Sequence, residues 1–308
     1  MLLYLKLLLT AIFWGGTYIA GRLIVDSVHP LSASFLRFFI ATLFLVIITI
    51  RIEGRLPRLH KAQIVPVVLS GLTGVCAYNI LFLTGLWHIT AGRASLIIAT
   101  TPVLISLFSA FLFKEQLTAV KLIGIGLSVM GAMVVVSNGH WVDVASYDIG
   151  LGEILIFGSV LSWVGYSLIG KVIMASLSPL ASVTYSAIVG TALLALPAWY
   201  AGIAYDIGHY AAGDWMSLFY LGFFGTVLSF FWYYEGIQRI GTMKTSVFIN
   251  FVPVSAILLS IVLLDEPLTI SLLFGGTLVI MGAYATNASK QLTQFCQRVF
   301  TAMRSAKG

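Results

Sequence analysis

The sequence predicts an all-α integral membrane protein of ten helices, built as two five-helix repeats of opposite orientation with both termini in the cytoplasm. Three observations carry that prediction: scarcity of charge, a series of apolar stretches of spanning length, and an internal match between the two halves. Only 28 of 308 residues are charged, 17 Lys plus Arg and 11 Asp plus Glu, or 9%, where soluble domains carry about 25%. Hydrophobic residues make up 59% and the mean hydropathy is +1.02. A water-soluble globule of that composition exposes more apolar surface than its polar side chains can cover, which excludes an ordinary cytosolic enzyme. A hydrocarbon layer about 30 Å thick takes roughly 20 residues per helix, so spans and short loops fill the chain and leave no room for a soluble domain.

The first stretch, 3 to 24, follows the lone Lys6 as a secretory signal would. It lacks a small-residue cleavage site and continues to spanning length, so it is expected to stay in the mature chain. Next come 31 to 50, closed by the basic run Arg51, Arg55, Arg58 and Lys61; 62 to 86; 91 to 113, which holds Pro102; and the Gly-rich 119 to 137. These five make a first repeat, 1 to 137. A polar connection, 138 to 149, carries Asp143 and no basic residue. The second repeat, 150 to 288, holds stretches at 150 to 172, 179 to 201, 215 to 238, 241 to 264 and 269 to 288. In the basic tail, 289 to 308, Leu292, Phe295, Cys296, Val299, Phe300 and Met303 recur at helical spacing. That pattern fits either an interfacial helix on an anionic leaflet or a frayed end.

With the N-terminus inside, 14 of the 17 basic residues fall on the cytoplasmic side, Arg22 and Arg93 fall outside, and Arg37 lies within a span. The net charge of +6 is therefore a topology signal. Nucleic-acid binding needs clustered Lys and Arg beside exposed aromatics, and that pattern is absent here. Trp87, Trp141, Trp199, Tyr200 and Trp215 stand near span ends, where amphipathic rings favour the headgroups. Cys76 and Cys296 form neither a disulfide framework nor a metal-ligand spacing.

Residues 71 to 132 align without a gap on 222 to 283 with 20 of 62 positions identical, against roughly one in ten by chance in so biased a composition. The matches include Gly71/Gly222, Gly85/Gly236, Ser95/Ser246, Pro102/Pro253, Glu115/Glu266 and the run Met130-Gly131-Ala132 on Met281-Gly282-Ala283. Nearer the start the offset is two residues shorter and pairs Trp14/Trp163, Gly16/Gly165, Gly21/Gly170 and Pro30/Pro179. Five spans per copy means that the second copy enters the membrane from the opposite face. Inverted halves of this kind exchange conformations around a midplane site, which is alternating access.

The five-span unit resembles the EamA unit of the drug/metabolite transporter superfamily. It shares an aromatic-glycine first span (Phe13-Trp14-Gly15-Gly16), a Pro in the fourth, the ending Glu115-x-Leu117-Thr118 (Glu266-Pro267-Leu268-Thr269 in the second copy) and a Gly-rich fifth span. The resemblance covers nearly the whole chain. It implies ten helices in two inverted bundles and export of amino acids or related small metabolites.

A midplane site for a zwitterion needs donors and acceptors on apolar walls. The candidates for substrate binding are Trp14, Thr17, Tyr18, Tyr78, Asn79, Ser95, Ile98, Trp163, Tyr166, Tyr233, Ser246 and Asn250. Aromatic positions in spans also serve packing and lipid contact, and the matched pair Trp14 and Trp163 favours the site. Pro102 and Pro253 are candidate hinges. Each withholds a helical partner from the carbonyl four residues earlier, on Ile98 and Ile249, which then either faces a cavity or accepts from a neighbouring Ser or Thr. Arg37 inside a span costs roughly 2.5–3.5 kcal/mol and must be compensated. It suits a gate or a substrate-carboxylate contact, or a snorkelling anchor.

No Asp or Glu falls at the centre of a span, so the expected mode is facilitated efflux or exchange. The run Gly165-x4-Gly170-Lys171 has phosphate-loop spacing, but Val172 replaces the Ser or Thr that ligates magnesium, and its repeat partner is Gly16-x4-Gly21-Arg22. Close helix approach explains it better. No cofactor, metal site or catalytic triad is expected. The partners are a small-molecule substrate and the lipid bilayer. The Gly-rich spans 119 to 137 and 269 to 288 either brace the outside or meet another subunit, which leaves a homodimer open. The rival readings are a carrier of nucleotide sugars, which would need a basic cavity, and a passive channel, which would show neither saturation nor counterflow.

Overall fold

The computed structural model describes residues 1–24, 27–89, 94, 97–137, 150–264 and 270–288. Apart from turns and short connections the described residues are helical, and they contain no strand. The first half comprises α1 (Leu2–Ile24), α2 (Pro30–Glu53), α3 (Lys61–Ser70), α4 (Tyr78–His88), α5 (Thr101–Phe113) and α6 (Ala119–Ser137). The second half comprises α7 (Leu151–Ile173), α8 (Pro179–Tyr200), the short α9 (Ile203–Asp206), α10 (Ala212–Gly222), α11 (Ser229–Ile240), α12 (Thr242–Ser246), α13 (Phe251–Leu264) and α14 (Ile270–Asn287). Six stretches are long and apolar enough to cross a bilayer: Leu2–Gly21, Pro30–Glu53, Lys61–Gly85, Leu151–Ile173, Pro179–Tyr200 and Ala212–Ile240. Thr101–Phe113 and Ala119–Val134 are shorter apolar helices. The chain is a multi-pass membrane protein.

Local chemistry sets the helix ends. Pro30 and Pro179 open α2 and α8, where a missing N–H costs nothing. The Ser178 hydroxyl accepts from Ala181 N at 3.0 Å, and Gly54, at φ +78°, closes α2 in the left-handed conformation that glycine adopts freely. Outward faces are apolar: Leu43, Ile47, Phe111, Leu196 and Phe274 are all exposed, as suits a surface solvated by lipid. Inside, hydroxyls serve the backbone and neighbouring helices. Thr42 with Thr191 (2.9 Å) and Thr49 with Thr184 (2.7 Å) pin α2 to α8.

Close contacts recur at sequence-matched positions. A Cβ on Gly71 would meet the Ser186 carbonyl and Val189, whereas one on Gly222 would meet the Arg37 carbonyl and Ile40. Gly74 presses on the Tyr166 ring, and Gly225 presses on Thr17. A Cβ on Gly131 would fall 2.5 Å from the Gly275 carbonyl oxygen, and one on Gly282 would fall 2.4 Å from that of Gly124. In each pair the two glycines, and the residues they meet, are partners in the internal alignment. The last pair seats α6 on α14, so the two Gly-rich helices bury their small-residue faces against each other within one chain.

Most of the basic residues among the described ones gather at one end of the bundle. Lys6 pairs with Glu235 (2.7 Å), which also pairs with Arg239 (2.7 Å). Lys171 pairs with Glu115. Gln63 donates to Ser176 at 2.7 Å. The loop after α2 lies here too, with the Tyr185 hydroxyl donating to the Pro57 carbonyl. The opposite end holds the Ser27 hydroxyl donating to Asp214, and Gly150 N donating to Glu153 at 2.8 Å. Trp199 and Tyr200 stand exposed there. The expected tail helix, 289 to 308, and Trp141 lie outside the described residues.

Candidate functional site

Two interruptions build the centre of the molecule. Between α3 and α4, residues Gly71–Ala77 form a π-helical turn, and between α10 and α11, Phe223–Leu228 form another. The internal alignment sets one on the other. A π turn adds a residue to the helix and spoils the i→i+4 ladder. In lipid no water can satisfy the freed carbonyls, so side chains must do so. Asn79 Nδ2 donates to the Val75 carbonyl at 2.6 Å, Ser229 Oγ to Phe224 at 2.6 Å and Thr226 Oγ1 to Leu221 at 2.9 Å. Replacement of Asn79 by Leu is therefore expected to cost about 1–3 kcal/mol, the penalty of an unsatisfied buried acceptor. Thermal unfolding in detergent measures it, and an unchanged midpoint would show that the Val75 carbonyl has another donor.

The second π turn also receives the intramembrane cation. Arg37 Nε donates to Thr226 Oγ1 at 2.8 Å and Nη2 to the Gly225 carbonyl at 3.3 Å. The guanidinium carbon lies 5.3 Å from the Phe38 ring centroid. The same Gly225 carbonyl accepts from Trp14 Nε1 at 3.0 Å. A carbonyl released by the π turn thus takes two donors from the first half, and these contacts compensate the buried charge. Arg37 turns inward onto α10–α11 and does not reach for headgroups. Among the described residues no carboxylate lies within ion-pair distance of it.

Around this point the aromatic candidates converge. Trp163 is the hub: its ring centroid lies 5.3 Å from Trp14, 5.2 Å from Tyr78, 5.2 Å from Tyr166 and 5.5 Å from Tyr233. Tyr78 stacks on Phe82 at 5.7 Å, and Phe82 meets Tyr18 at 6.4 Å. Tyr233 shares a hydrogen bond with Ser167 at 3.0 Å. Trp163 is 6% exposed, and its indole N–H reaches toward the Tyr233 hydroxyl in a contact too poorly aligned for a full hydrogen bond. The rings come from α1, α4, α7 and α11, and thus from both halves, and they touch one another. A cavity of about 480 Å³ beside Arg55, Arg58 and His60 lies at the basic end, away from the cluster.

The other candidates are engaged elsewhere. Thr17 Oγ1 donates to the Trp14 carbonyl at 2.6 Å. The Ile98 carbonyl accepts from Thr101 Oγ1 at 2.5 Å, so the Ser/Thr alternative left open by the sequence is the arrangement found. Pro102 is the second residue of α5, where proline fits, whereas Pro253 is the third residue of α13 in a helical run that continues without a break from α12 through the 3-10 turn Val247–Asn250. Ser246 donates to the Met243 carbonyl of its own helix (3.0 Å), and Asn250 donates to Ser128 of α6 at 3.1 Å while its Oδ1 is buried without a partner among the described residues. These two sit in the packing between α6 and the turn Val247–Asn250. Ser95 lies outside the described residues.

Sequence reasoning missed Phe230, whose ring lies 5.2 Å from Trp163 and 5.9 Å from Phe38, and it missed Gly225 and Thr226 as the acceptors of Arg37. Phenylalanine carries no polar flag. The glycines did carry a signal: Gly71 and Gly74 match Gly222 and Gly225, and paired glycines at mid-span mark places where backbone is approached closely.

A multi-pass helical bundle whose two halves repeat one another's contacts and meet in a buried polar and aromatic centre has the architecture of a membrane transporter. The EamA-like transporter family model matches residues 1–137 and 150–288, and the chain belongs to that family. It is a transporter and not an enzyme. It is 26% identical over 293 residues to an uncharacterized transporter of Bacillus subtilis, covering 95% of this chain and 96% of that one. It is 29% identical over 284 residues to a probable terminal-alkyne amino-acid exporter of Streptantibioticus cattleyicolor, covering 91% and 92%. A solved crystal structure superposes with a TM-score of 0.75 at 20% identity over 92% of this chain and 96% of that one, a likeness of fold.

Proposed function

We propose that this transporter exports amino acids or closely related metabolites by alternating access, with aromatic or bulky apolar side chains preferred. In this reading ten spans form two inverted bundles in the cell membrane, and the basic end and both termini face the cytoplasm. The contacts that recur at sequence-matched positions support the inversion, and the gathering of Lys and Arg at one end supports the orientation. The observation that carries the substrate class is the cluster of Trp14, Tyr78, Trp163 and Tyr233 rings beside Arg37, which shares the Gly225 carbonyl with Trp14 and has no carboxylate within ion-pair distance among the described residues. A buried cation with no carboxylate beside it among the described residues suits an α-carboxylate. The surrounding ring faces suit an ammonium group and an apolar side chain. The amino-acid exporter among the relatives is consistent with this class.

The test is counterflow in proteoliposomes loaded with a phenylalanine, tryptophan or leucine pool. Saturable uptake of the labelled amino acid is expected. Trp163→Phe protein, which keeps an aromatic ring but removes the indole N–H with the rest of the five-membered ring, is expected to raise the half-saturation concentration about tenfold, the scale of one hydrogen bond to a charged group. Wild-type kinetics in both Trp163→Phe and Tyr78→Ala protein would place the substrate elsewhere.

A further inference from the structure

We propose that Glu115 and Lys171 form a latch that keeps the basic end of the transporter shut and must part before that end can open. The inference rests on the alternating-access reading above.

The latch joins the two halves. Glu115 follows α5 of the first half, and Lys171 lies in the last turn of α7 in the second. Besides the Lys171 ion pair, the carboxylate accepts from the Thr242 hydroxyl at the start of α12, at 3.1 Å. Thr242 also shares a hydrogen bond with Ser109 of α5. The Ser109 and Thr242 hydroxyls thus lie together against the Glu115 carboxylate. Burial pushes the Glu115 carboxyl up, but Lys171 and the hydroxyl donors outweigh it and hold the group below its ordinary value. Lys171 Nζ also stands 4.1 Å from the Phe113 ring centroid. Three elements, α5, α7 and α12, are thereby tied at one point.

The backbone is shaped for this contact. Lys114, immediately before Glu115, has φ +52° and is the one non-glycine residue of positive φ among the described residues. A left-handed lysine is sparsely populated and persists where its surroundings demand it. It ends α5 and aims Glu115 across the gap. On the far side Gly241, at φ +87°, brings α12 close, and a Cβ there would stand 3.4 Å from the Glu115 carboxylate. The second ion pair between the halves at this end, Lys6 with Glu235, belongs to α1 and α11, so the latch is the only one on α5 among the described residues. The internal alignment sets Glu266 and Arg22 against Glu115 and Lys171, so the same acid and base types recur in the sequence. Glu266 lies outside the described residues.

Ser106, one turn inside Ser109 on α5 and 2% exposed, reports on the latch when changed to Cys in a chain whose Cys76 and Cys296 are Ser. A charged, impermeant maleimide is added from the basic face in oriented vesicles. E115Q and K171Q are each expected to raise the labelling rate about tenfold, between the effects of exposed and buried ion pairs. The charge swap E115K/K171E is expected to return it to within about twofold of the parent, because the attraction survives reversal. Labelling unchanged in both single variants, or folded swap protein that labels as fast as they do, overturns the latch. A second measurement leaves the charges intact: S109C/T242C protein, whose thiols replace hydroxyls in hydrogen-bond contact, is expected to lose counterflow on oxidation and regain it on reduction. Full counterflow with the disulfide formed also overturns the proposal. The labelling needs no substrate, so a wrong substrate class leaves it readable.

Discussion

Gly131→Leu protein is expected to lose most of its folded yield, and the surviving fraction to unfold at a markedly lower temperature in detergent. A Cβ at this position would stand 2.5 Å from the Gly275 carbonyl oxygen and 2.7 Å from Val279 N, and both obstacles are backbone of α14. Side chains yield to intruders, whereas helix backbone does not, so α6 and α14 must separate. Overpacking costs about 1–3 kcal/mol where side chains can shift, and the upper end is expected here. Lipid does not drive helices together as water does, so close van der Waals contact at small residues carries the association. Gly282→Leu should behave alike, because it meets the Gly124 carbonyl oxygen and Ser128 N at 2.4 Å. The control is Gly126→Ala on the same helix, which has open space at its Cβ. It should be neutral, or stabilising by about 0.5–1 kcal/mol through helix propensity. Equal effects at Gly126 and Gly131 would refute the account.

Trp163→Ala is the second large change. It removes the ring at the centre of contacts to Trp14, Tyr78, Tyr166, Phe230 and Tyr233. Truncating a buried Trp typically costs about 3–5 kcal/mol, part of it as the cavity left behind. In a membrane interior the water-transfer part shrinks and the lost packing remains, so about 3 kcal/mol is expected. Differential scanning of purified protein reads it as a lowered midpoint. Trp163→Phe should recover most of that stability while keeping the transport defect, since the two effects rest on different atoms of the side chain. A Phe variant as unstable as the Ala variant would mean that the atoms particular to indole, its N–H beside Tyr233 included, hold the cluster together.

Much of the candidate site was legible because chemistry leaves marks in residue type. Trp14, Tyr78, Trp163, Tyr166 and Tyr233 stood out as polar aromatics inside apolar stretches, and the structure brings them together. Arg37 stood out as a charge with no place in a span. Its acceptors did not, since a carbonyl freed by a π turn looks like any other carbonyl in sequence. Asn79 invited a ligand role and is engaged by its own backbone at Val75, because the helix interruption that needs it is a matter of geometry. Ser246 and Asn250 were polar in the right spans but lie on the side that meets α6, a choice of helix rotation that residue type does not encode.

By itself the sequence determined that the chain is a helical membrane protein of the EamA-like family, because composition decides the solvent and a tandem repeat of glycines, prolines and acidic ends persists through substitution of the apolar residues between them. Only the tertiary structure decided which polar groups were already spent. Whether a donor is free depends on where the helices cross and rotate, and that is set by backbone approach at a few glycines and by two π turns, neither of which alters the apolar pattern that sequence reasoning uses.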